Sequence, residues 1–143
     1  MATPASTRSE SKEYQAAGPA FGGYGAASGA GTEPVIDLVH LARQTDSDPA
    51  LERELLDMFD RQSGRIVQQL RDARAGGAGS GGDLAHTLKG SALSMGAARV
   101  ARTAHLYEAA CAAGLRGGAL SATLEPLAEA VAEARATIAS LLA

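Results

Sequence analysis

His86, Lys89 and Gly90 are the residues in this chain whose types and spacing first suggest chemistry. Read as a helix at 100° per residue, the stretch Asp83 to Gly96, D-L-A-H-T-L-K-G-S-A-L-S-M-G, places Leu84, Leu88, Ser91 and Met95 along one stripe. His86 falls nearly opposite that stripe, and Lys89 and Gly90 stand one turn further on. Glycine inside a helix costs about 0.5–1 kcal/mol relative to alanine, so its presence asks for an offset. Access supplies one: Gly90 clears the space over the imidazole for a bulky partner. If the chain reverses at Gly96–Ala97, residues ten or eleven before the turn stand level with those ten or eleven after it, which matches His86 with Tyr107 and Glu108. A carboxylate at that level can accept the Nδ1 proton, which fixes the tautomer and leaves Nε2 as an unprotonated nucleophile.

Holding such a group in place takes helices, and most of the chain reads as helix. Residues 1–33 are the exception: rich in Ala, Gly, Ser, Thr and Pro, they show no period and too little apolar surface to offset ordering. They are read as a disordered tail, with Phe21 and Tyr24 isolated among glycines. After Pro34, Val35, Leu38, Val39 and Ala42 recur at helical spacing and predict a short helix closing one end of a bundle, with His40 as a boundary residue holding one hydrogen bond. Asp48 or Ser47 caps the next helix, with Pro49 at its first position. Leu51, Leu55, Met58, Phe59, Gln62, Ile66 and Leu70 carry that helix to about Arg74. Glu52 and Glu54 at its start and Arg71 and Arg74 at its end suit its dipole, while Gly64 within it goes unexplained.

Residues 75–82, A-G-G-A-G-S-G-G, read as a flexible connection; the Gly-Lys-Ser/Thr ending and preceding strand of a phosphate-cradling loop are missing. Asp83 is taken as the cap of the His86 helix. A return helix from Ala98 to about Gly114 rests on Val100, Ala104, Tyr107 and Cys111. A last one from about Ala119 carries Leu120, Leu124, Leu127, Val131, Ala134, Ile138 and Leu141, with Pro126 expected to kink it or set back its start. Short connections make this an all-α protein: an antiparallel up-down-up-down four-helix bundle over residues 34–143, with a short N-terminal capping helix.

Composition agrees. Hydrophobic residues make up 45% of the 143 but aromatics only 3%, without Trp, which favours close-packed helices over sheets. A formal charge of −3 and no Lys/Arg run argue against a nucleic-acid binder. One cysteine, Cys111, excludes an intramolecular disulfide and a cysteine metal cluster, and reads as a small buried apolar residue. No secretory h-region or long apolar run is present, so no membrane partner and a cytoplasmic location are expected.

The pattern A-H-T-L-K-G-S-A-x-x-x-G-A, Ala85 to Ala97, together with Tyr107-Glu108, resembles the histidine-containing phosphotransfer (HPt) domains of two-component phosphorelays. The resemblance covers about residues 34–143 and implies phosphorylation of His86 at Nε2, with Glu108 as its orienting partner. Lys89 would supply an ammonium to the phosphoryl group. Reversible transfer would then run between His86 and the aspartyl phosphate of a response-regulator receiver domain, or a hybrid histidine kinase. Phosphoryl transfer needs a divalent metal and dense positive charge. With one lysine and no carboxylate cluster here, Mg²⁺ is expected on the receiver, and this chain needs no metal or cofactor of its own. No nucleotide-binding element accompanies the histidine, so a monomeric carrier is expected, not a kinase or other self-contained enzyme. Gly90 and Leu93 are candidates for the partner-binding patch, with Arg99 and Arg102 as rim charges. His105 is placed at the surface with no role. The rival reading is a helical interaction or inhibitor module that docks on a kinase or receiver without accepting phosphate.

Overall fold

The computed structural model describes residues 33–76 and 81–143. The segment read as a disordered tail lies outside these residues apart from Glu33, as does the middle of the glycine-rich connection. Every regular element among the described residues is a helix: α1 (Leu38–Gln44), α2 (Pro49–Gly76), α3 (Gly81–Met95), α4 (Ala98–Ala112) and α5 (Gly117–Leu142). Each of the four long helices packs on two others, α2 on α3 and α5, and α4 on α3 and α5, which closes a ring around one core. None of them is long and apolar enough to cross a membrane.

Small side chains set how closely these helices approach. Ala85, Ala92, Ala97, Ala104 and Ala134 are fully buried, interleaved with Leu70, Leu88, Leu124, Leu127 and Ile138. An alanine at a contact removes the bulk that would hold two helix axes apart. The stripe of α3 that enters the core is therefore Ala85, Leu88, Ala92 and Met95, one step round from the sequence-derived set. Leu84 and Ser91 are only half-buried. Leu88 and Met95 belong to both sets; Ala85 and Ala92 replace Leu84 and Ser91 at the stripe's centre, and Leu84 packs at the core's edge.

The helix ends follow local chemistry, with some corrections. Asp48 caps α2 and accepts from the N–H groups of Ala50 and Leu51 at 3.0 and 3.3 Å, while Ser47 takes a left-handed φ of 61° in the turn before it. α3 starts at Gly81, so Asp83 lies in its first turn and not at its cap. Gly81 is buried, and a Cβ there would stand 3.5 Å from Tyr107 and 3.6 Å from Cys111 Sγ, so α3 begins tight against α4. α5 starts at Gly117, earlier than expected, and continues through Pro126. Pro126 does not set back its start.

Gly64 acquires a reason. A Cβ at that position would collide with the Arg135 guanidinium, which reaches from α5 to pair with Asp60 at 2.8 Å. Further cross-links tie the same two helices: Arg53 donates to the carbonyl of Leu142 at 3.0 Å, and Arg71 pairs with Glu125 at 3.4 Å.

α1 departs most from the sequence reading. Asp37 is its N-cap, accepting from Val39 and His40 N–H at 3.1 Å, so Val35 and Ile36 precede the helix and its spacing does not apply to them. Ile36 and Leu41 are the buried pair, while Leu38 and Val39 are 49% and 63% exposed. His40, beside Leu41, has its Nε2 buried without a hydrogen-bond partner, where a satisfied boundary residue was expected. The Asp37 N–H donates to Gly96 O at 3.0 Å, which seats the start of α1 on the turn between α3 and α4.

Candidate functional site

That turn decides what His86 faces. Gly96 adopts φ 72°, the left-handed conformation that closes a helix most cheaply with glycine. The Ala97 N–H returns to Ala92 O at 2.8 Å, and α4 starts at the next residue. With so short a connection, the register of the two helices is set by counting residues from the turn.

His86 sits in the second turn of α3 with its side chain 67% exposed, and its Nδ1 lies 2.8 Å from Glu108 Oε2 on α4. The other carboxylate oxygen, Oε1, is 2.8 Å from Lys89 Nζ. One carboxylate thus ties together the imidazole and the ammonium, each by a different oxygen. Oε1 is shut off from solvent and receives no well-directed hydrogen bond, so it depends on the charge of Lys89. The Lys89 ammonium holds the Glu108 carboxyl below its usual range; burial pushes the other way, and the contact to His86 lowers it further. An ionised carboxylate at this distance can accept an Nδ1–H from an imidazole, which would leave the Nε2 lone pair free.

Over this ring the surface is open. A Cβ built on Gly90 would meet nothing within 4 Å, and Leu93, on the same face of α3, is 45% exposed. Arg99 turns to α5, at 2.8 Å from Glu133 and 3.8 Å from Glu129. Arg102 is partly buried on α4 and has a partner of its own. Beyond Leu93, an open groove between α2 and α3 is lined by Leu55, Met58, Arg65, Ser91, Ser94 and Met95.

His105, assigned no role from sequence, belongs to the cluster: its Nδ1 is 3.4 Å from Lys89 Nζ. The signal was available. The same count from the turn that matches His86 with Glu108 also matches Lys89 with Ala104 and His105. Cys111, read as buried, is half-buried and free. Burial raises its thiol pKa, and a hydrogen bond with Tyr107 opposes the shift. Among the described residues, no three His, Cys, Asp or Glu side chains group as metal ligands.

The family model described as the Hpt domain matches residues 54–142, from the first half of α2 to the end of α5, with α1 outside it. No curated protein and no solved structure matches the chain.

Proposed function

Since this chain belongs to the Hpt domain family, whose members transfer phosphoryl groups through histidine in two-component signalling, we propose that His86 is its phosphorylation site and the chain a phosphorelay carrier. The observation that carries this reading is the 2.8 Å contact between His86 Nδ1 and Glu108, with the opposite edge of an exposed ring left free. The Nε2 lone pair attacks the phosphorus of a receiver's aspartyl phosphate. The N–P bond forms as the P–O bond breaks, and the aspartate carboxylate leaves with the electron pair. The Nδ1 proton stays between the ring and Glu108, whose charge balances the positive charge the ring gains on bonding to phosphorus. Lys89 stands one turn away with an ammonium to offer the phosphoryl oxygens. Glu108 is already engaged by Lys89 and His86, so the Mg²⁺ that the transfer needs belongs on the receiver.

Docking is assigned to the face around His86, with Gly90 as the clearance and Leu93 as the apolar centre. Arg99, held by Glu133, contributes less to this rim, and Arg102 is its second candidate charge. The partners are receiver domains and, upstream, a hybrid histidine kinase. The domain is taken as residues 34–143 behind a tail of 1–33, acting as a cytoplasmic monomer. Its bundle is read as antiparallel, supported by the α2–α5 cross-links, in which partners of rising number on α2 fall in number on α5.

Incubation with a phosphorylated receiver tests this directly. Label should move to an acid-labile, alkali-stable position and be lost in His86→Gln with helicity unchanged. Label retained by that variant would refute the site. A chain that binds the receiver but never takes label would be a docking module instead.

A further inference from the structure

Lys89 is held from two sides, and only one of them is Glu108. Its ammonium is 2.8 Å from Glu108 Oε1 and 3.4 Å from His105 Nδ1. An ammonium can only donate, so His105 must accept through an unprotonated Nδ1 and carry its single hydrogen on Nε2. One N–H points to His105 and the charge is paired with Glu108 Oε1, which leaves an N–H for a phosphoryl group on His86. We infer that His105 is a positioning residue for Lys89: its neutral ring keeps the ammonium beside Glu108, and a second proton on it would loosen the Lys89–Glu108–His86 chain.

The groups around His105 support that direction. Facing it from α3 are Lys89 and, beyond it, His86; on α4 are Glu108 one turn on and Arg102 one turn back. Glu108 gives both of its oxygens to other partners. A protonated His105 would lose the lone pair that meets Lys89 and set one cation against another. Lys89 would then swing away, and the buried Oε1 of Glu108 would lose the charge that compensates it. The inference rests on the phosphorelay reading only for its consequence in transfer, not for the contact itself.

Two measurements on the full chain separate these. In the unphosphorylated protein, nitrogen NMR reads the His86 tautomer and the Lys89 ammonium. His105→Leu should shift the Lys89 signal and reduce the Nδ1–H tautomer of His86 at pH 7.5. His105→Gln offers an amide oxygen in place of Nδ1 and should restore both. In transfer from a phosphorylated receiver, the wild type should lose about two- to fivefold more than His105→Gln between pH 8 and 5.5, as for a partly exposed charge contact. Unchanged His86 and Lys89 signals in His105→Leu, or identical pH profiles for wild type and His105→Gln, would overturn the inference. If no receiver labels the wild type, the phosphorelay reading fails, and the NMR result still decides the role of His105.

Discussion

Glu108 gives one oxygen to an imidazole and the other to an ammonium, and its ionisation holds both. Because its carboxyl titrates below the ordinary value of 4.5, the arrangement stabilises the fold fully above that value. The contribution is lost as pH falls through the lower folded value. Stability measured down an acid titration should therefore drop more steeply below about pH 4.5 in the wild type than in Glu108→Gln. The same variant should shift His86 away from its Nδ1–H tautomer at neutral pH and slow phosphoryl transfer. An unchanged acid limb and an unchanged tautomer would mean that Glu108 orients nothing.

Two glycines on α3 and the turn after it do opposite work. At Gly90, in a helix interior with nothing within 4 Å of a Cβ, alanine should raise stability by about 0.5–1 kcal/mol. If the open space admits the receiver, Gly90→Ala should also slow transfer, so a higher melting temperature with undiminished transfer would argue against the docking face. At Gly96, alanine would carry a side chain into the left-handed region, with its Cβ 2.8 Å from that of Asp37 and 3.0 Å from Asp37 O. The conformational cost alone is about 1–2 kcal/mol. Gly96→Ala should lower the melting temperature and, by disturbing the turn, weaken the His86–Glu108 register.

At the scale of the whole molecule, the core is built from alanines as much as from leucines, so added volume at an alanine contact pushes two helices apart. Ala104 is fully buried on α4, facing the core from the helix that carries Glu108 and His105. Ala104→Leu should cost about 1–3 kcal/mol through overpacking, read as a lower midpoint in chemical denaturation. A neutral result would mean that the ring of helices is more loosely packed than the burial implies. Because Ala104 stands level with Lys89, one turn from His86, strain there should also appear as a change at His86.

Periodicity and turn chemistry made much of this protein legible in its residues alone. The helical class, the reversal at Gly96–Ala97 and the outward face of His86 are local properties, and counting from a two-residue turn brought Glu108 level with the histidine. Which side of each helix turned inward was decided by packing. Alanines carry a weak hydrophobic signal, yet they allow the closest approach, so α3 centred Ala85 and Ala92 with Leu88 in the core; α1 left Leu38 and Val39 outside. The place of His105 was likewise settled in three dimensions. Counting from the turn sets His105 level with Lys89, but which partners within reach the flexible lysine takes depends on where its side chain rests between the two helices.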